Sequence, residues 1–121
     1  MSERRKEERR RLVTFAPVYD LQKGGLLGYV GDLNLLGMML LGKTPMELER
    51  HLTLAVKFPE TPETPATRVT IPARVAWCRQ EEESAYFNIG FQFLELSAEN
   101  QQVIEAVLRR FQFRPEPPDW M

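Results

Sequence analysis

The sequence predicts a mainly β domain: an antiparallel barrel of roughly six short strands, capped by one C-terminal α-helix. Three observations carry that expectation. Phe87, Ile89, Phe91 and Phe93 alternate with Asn88, Gly90 and Gln92, so one face of that segment lines a core. The other strand-like runs follow one another through short, hairpin-like connections. A helical pattern comes last, where Val103, Ala106, Val107, Leu108 and Phe111 form an apolar stripe behind Ser97.

Taken in order, residues 1–11 have no apolar side chain after Met1 and cannot pack by themselves, so they are expected to form an arm that needs a partner or ligand to be ordered. Leu12 to Tyr19 is rich in β-branched and aromatic residues and reads as one strand, with Pro17 marking an edge or bulge. Asp20 to Gly25 is turn chemistry, and Leu26 to Val30 is the returning strand. Gly31 to Asn34 breaks the pattern, Gly37 to Leu41 forms a third strand, and Gly42-Lys43 ends it. Thr44-Pro45-Met46-Glu47 has the form of a capping box with proline at the first helical position, which predicts one or two helical turns to Arg50. A strand from Leu52 to Phe58 leads into an exposed proline-rich loop, 59–65. From Val69 to Trp77 the apolar residues fall mainly on odd positions, and the acidic run Glu81-Glu82-Glu83-Ser84 turns the chain into the alternating strand. Ser97 caps a helix expected to reach Phe113, with Arg109 and Arg110 favourably placed in its last turn and Pro115, Pro117 and Pro118 beyond it. The chain thus divides into an arginine-rich arm (1–11), a barrel with its helix (12–113) and a proline-rich tail (114–121).

A length of 121 residues suits one domain with one core, and 43% hydrophobic with 27% charged residues is an ordinary globular balance. The formal net charge of −1 gives the whole molecule no nucleic-acid or membrane signature. Charge is nevertheless segregated: Arg4, Arg5, Lys6, Arg9, Arg10 and Arg11 face only Glu3, Glu7 and Glu8 within the arm. The single cysteine, Cys78, forbids an intrachain disulfide and points to a reducing compartment. No apolar run approaches a membrane span, and the basic N-terminus lacks the apolar stretch of a secretory signal, so a cytoplasmic location is expected.

Catalysis needs convergent acids, bases or nucleophiles, and the sequence offers none. His51 is the only histidine and reads as a surface residue. Cys78 has no Cys or His at ligand spacing and reads as a small buried hydrophobe, so no metal site is expected. Glu81 to Glu83 suit a solvated hairpin tip, and Gly24, Gly25 and Gly28 are not followed by the helix start of a phosphate loop. Neither enzyme activity nor a cofactor is expected. Two features remain. The arm presents guanidinium forks suited to phosphates and guanine edges, and Asp32-Leu33-Asn34-Leu35-Leu36-Gly37 makes a tight polar connection between strands.

In this order, the arm, the Asp32–Gly37 turn, Ala73-Arg74-Val75-Ala76-Trp77, and Asn88-Ile89-Gly90-Phe91-Gln92-Phe93 leading to Ser97 resemble a PilZ domain. The resemblance implies a six-stranded barrel with a C-terminal helix, and a receptor for cyclic di-GMP. Its ligand site would combine an R-x-x-x-R arm with a D/N-x-S-x-x-G turn. Residue by residue this implies Arg5, Arg9 and Arg10 on the ligand's guanines and phosphates, with Asp32, Asn34 in place of serine, and Gly37 at the other base. Arg5 and Arg9 satisfy the arm spacing as written. With the register set from the Tyr19–Gly25 hairpin, Arg9 or Arg10 takes the first place, and Val13 or Thr14 stands where the second arginine would be. Two readings therefore stand: a cyclic di-GMP receptor that orders its arm over the ligand and changes its contacts with a protein partner, or a PilZ-fold adaptor with a degenerate site. Nucleic acid is not an expected partner; a second copy of the chain, packed through the terminal helix, is a further candidate.

Overall fold

Along the longest strand, Val69, Ile71, Ala73 and Val75 are buried while Thr70, Pro72 and Arg74 between them are more exposed, as a half-buried pleat requires. The computed structural model describes residues 12–62, 65 and 67–113, so the arm (1–11) and the tail (114–121), with Arg5, Arg9 and Arg10, lie outside the described residues. The described strands are β1 (Leu12–Thr14), β2 (Pro17–Asp20), β3 (Leu26–Leu33), β4 (Gly37–Gly42), β5 (His51–Phe58), β6 (Thr67–Gln80), β7 (Phe87–Phe93) and β8 (Phe111–Phe113); helix α1 spans Ala98–Arg110. Six strands close an antiparallel barrel in the order β2-β3-β4-β7-β6-β5, while β1 and β8 form a separate parallel pair.

Val18, Val30, Leu40, Leu54, Val56, Ile71, Val75 and Ile89 meet inside the barrel with no exposed surface. Ile104 and Val107 of α1 belong to the same cluster, as do Phe111 and Phe113, with Phe113 against Phe58. The helix is seated at its start: Ser97 Oγ accepts from Asn100 N at 3.1 Å, and Asn100 Nδ2 donates to the Thr70 carbonyl of β6 at 3.1 Å. Ser97→Ala is expected to cost about 1 kcal/mol, seen as a lower urea midpoint at unchanged slope; an unmoved midpoint would show that the cap contributes nothing.

The structure departs from the sequence reading in five places. Leu12 to Tyr19 is two strands, because the chain leaves one sheet for another at Phe15-Ala16, immediately before Pro17, which has no N–H to continue a ladder. β3 runs on through Leu33, with a bulge between Val30 and Asp32 absorbing the predicted break. Residues 44–50 form no helix: Met46 is drawn into the core, Glu49 takes φ 67°, which no right-handed helix admits, and Arg50 is held by Asp20. Helix α1 stops at Arg110, and Phe111–Phe113 continue as β8, burying Phe111 and Phe113 around an exposed Gln112. Finally, β6 extends to Gln80, and a bulge between Val75 and Trp77 shifts its register against β7, so Trp77 faces out instead of continuing the inward odd positions.

Candidate functional site

The β3–β4 connection is built by its own polar side chains. Asn34 Oδ1 accepts from Leu36 N at 2.7 Å and Gly37 N at 3.1 Å, and Asn34 N donates to the Gly37 carbonyl at 3.0 Å. Asparagine side chains favour such local turns because they replace a missing backbone acceptor. With Oδ1 engaged, the group that Asn34 presents outward is its Nδ2 amide. Asp32 is exposed and its Oδ1 accepts from Leu33 N at 3.0 Å. Gly37 has a packing reason to be glycine: a Cβ there would collide with the Phe91 carbonyl oxygen of β7.

Asp32, Asn34 and Gly37 border one shallow cavity of about 310 Å³, together with Trp77, Gly90 and Gln92. The structure thus unites the three predicted turn residues and adds three that the sequence reading did not single out as site residues. Register explains their meeting. Gly37 is paired with Gln92 and Gln92 with Arg74, while Gly90 is paired with Trp77 across the β6 bulge. The Trp77 indole occupies the space that a side chain at position 90 would fill, since a Cβ on Gly90 would strike its Nε1 and Cε2. Glycine inside an alternating strand marks such a close approach, and that signal was present in the sequence. Trp77 keeps 40% of its surface in solvent, with the Arg79 guanidinium 5.4 Å from its ring centroid. The cavity therefore has a partly exposed aromatic ring, an exposed carboxylate and amides along its wall, while Arg79 stands beside that ring without bordering the cavity. This set can hold a planar heterocycle and recognise its edge.

A second, largely apolar cavity of about 310 Å³ lies toward the other end of the β3–β4 pair, bordered by Leu26, Leu41, Lys43, Met46, Arg50 and Tyr86. Of the predicted site residues that are described, Asp32, Asn34 and Gly37, none borders it. His51 is exposed, Cys78 is half-buried against the core, and Glu81 to Glu83 are exposed. Among the described residues no group of His, Cys, Asp and Glu could hold a metal ion, and no helix is long and apolar enough to cross a membrane.

Comparison with known proteins agrees with this architecture. The sequence matches the PilZ domain family over residues 3–110, a span that includes most of the arm. No curated protein matches. Among solved structures, the inhibitor of motility from Bacillus subtilis (MotI/DgrA) superposes with a TM-score of 0.63 at 16% identity, covering 79% of this chain and 46% of that one. The chain therefore spans less than half the length of that protein, and at this identity the likeness concerns the fold alone.

Proposed function

The chain belongs to the PilZ domain family, and from that premise we propose that it is a non-enzymatic receptor for cyclic di-GMP that passes the signal to a protein partner. The observation that carries this reading is the gathering of Asp32, Asn34, Gly37 and the exposed Trp77 ring around one cavity. A dianionic ligand with two purines needs stacking surface, polar groups at the base edges and guanidinium forks at its phosphates. The cavity supplies the first two. Arg5, Arg9 and Arg10 supply the third by folding over the bound ligand, and that ordering alters the surface a partner meets. On this reading the protein acts in the cytoplasm, needs no metal or cofactor, and does not use nucleic acid.

The test is calorimetric titration with cyclic di-GMP at moderate salt, since arginine–phosphate attraction is screened. Binding is expected, and Arg9→Ala should weaken it by about 1.5–3 kcal/mol, the range for a charge-assisted hydrogen bond, while Arg114→Ala in the tail should leave it nearly unchanged. Equal effects would remove the arm from the site, and no heat at high micromolar ligand would sink the receptor reading. One observation favours the adaptor reading instead. Counting back from the Asp20–Gly25 turn, the second arginine position falls on Val13 or Thr14, within β1, and neither carries a charge.

A further inference from the structure

Across three neighbouring strands, pairing sets Gly37 of β4, Gln92 of β7 and Arg74 of β6 in one row. Arg74 Nε donates to Gln92 Oε1 at 2.7 Å, and Arg74 Nη1 donates to the Glu49 carboxylate oxygens at 3.0 and 2.9 Å. A guanidinium has donors only, so the amide atom facing it is the oxygen. Glu49 in turn is fixed to the barrel, its N donating to the Val75 carbonyl at 2.8 Å. The Gln92 oxygen is therefore turned toward β6. Its Nε2 has no acceptor among the described residues, and the side chain borders the cavity beside Asn34, Gly37 and Trp77.

We infer that Gln92 is a specificity-determining residue of this cavity, selecting a guanine over an adenine edge by presenting its amide N–H to the cavity with its oxygen held away, and that Arg74 is the residue that positions it. The inference rests on the cyclic dinucleotide reading above. The exposed edge of guanine carries two acceptors, O6 and N7, whereas adenine carries the N7 acceptor beside the N6 donor. A free glutamine amide suits adenine well, because its oxygen takes N6 and its nitrogen gives to N7. Arg74 disfavours that option by holding the oxygen toward β6, so that the nitrogen is the amide atom turned to the cavity. What remains is an amide N–H donor that matches the O6 acceptor of guanine and meets adenine's N6 donor with another donor.

The experiment compares cyclic di-GMP with its adenine counterpart, cyclic di-AMP, by calorimetry on the full chain. The wild type is expected to prefer the guanine ligand. Gln92→Leu should lower affinity for cyclic di-GMP about tenfold and leave cyclic di-AMP within about twofold, the loss of one hydrogen bond to the base. Arg74→Met keeps Gln92 but frees its oxygen. It should hold cyclic di-GMP within about threefold while raising cyclic di-AMP affinity, so that the ratio of the two falls roughly tenfold. A merely structural role would weaken both ligands together. Wild-type binding with an unchanged ratio in both variants, or parallel loss of both ligands, overturns this inference alone. Failure of the wild type to bind either dinucleotide overturns the receptor reading and this inference with it.

Discussion

Asp20→Ala is expected to destabilise the barrel by roughly 3 kcal/mol, the lower end of the range for removing one partner of a buried ion pair. Its side chain is 4% exposed and performs two tasks at once. Oδ1 accepts from Gln22 N at 3.0 Å and Lys23 N at 3.2 Å, holding the β2–β3 turn, while Oδ2 accepts from Arg50 Nη2 at 2.8 Å. Removing the carboxylate leaves the Arg50 guanidinium beside a hydrophobic cavity without its counter-charge. Because Arg50 is 32% exposed, water recovers part of that cost, which is why the lower end applies. A domain of this size has a total stability of only about 5–15 kcal/mol, so the melting temperature should fall by something on the order of 10 °C. Asp20→Asn retains the turn acceptor and should lose less. The double variant Asp20→Ala/Arg50→Ala should lose less than the sum of the singles, since neither charge is then stranded. A drop below about 0.5 kcal/mol for Asp20→Ala would place this carboxylate among ordinary surface residues.

The same ion pair explains why a local signal misled. Thr44-Pro45-Met46-Glu47 carries the chemistry of a helix start, yet a helix of one or two turns is marginal without tertiary support. Here tertiary contacts pull the other way. Met46 joins the core cluster, Arg50 is held by Asp20, and Arg50 and Glu49 exchange backbone hydrogen bonds with Val75 at 3.0 and 2.8 Å. The end of α1 misled for a related reason. Phe111 fits a helical stripe and a two-residue alternation equally well, and only the parallel pairing with β1, a segment at the far end of the chain, selects the strand. Where burial on one face repeats every second residue without interruption, as from Ile89 to Phe93, the sequence and the structure agree.

For the site, the legible part was the turn. Asp32, Asn34 and Gly37 lie within six residues, and their role in making a tight connection is local chemistry. The wall of the cavity was not legible, because it depends on register between strands distant in sequence. Trp77 sits on an apolar-odd run, and simple alternation points it inward; the bulge after Val75 reverses that. Nothing in a single strand reveals a bulge that exists only relative to its partner. Gly90 was the one available clue.

That clue leads to the second large effect. Trp77→Ala is expected to lower cyclic di-GMP affinity by roughly 1–3 kcal/mol, about five- to 150-fold, the worth of one base stacked on an aromatic ring. Such a loss alone would not separate a platform from a general packing role, since the indole also covers the β6–β7 surface. Gly90→Ala separates them. It keeps the tryptophan and both strands, but the added methyl occupies the seat of the indole and drives the ring outward. The ring can yield because it is already 40% exposed, so the barrel should melt within a few degrees of the wild type. Ligand affinity should nevertheless fall by most of the Trp77→Ala loss. With Trp120→Phe in the background, the emission of Trp77 alone should shift to longer wavelength as its ring enters water. If Gly90→Ala shifts the emission and still binds as tightly as the wild type, the ligand does not use the seated ring. If affinity falls with the emission shift while stability holds, a single hydrogen atom at position 90 is what keeps the platform flat against the barrel and ready for a base.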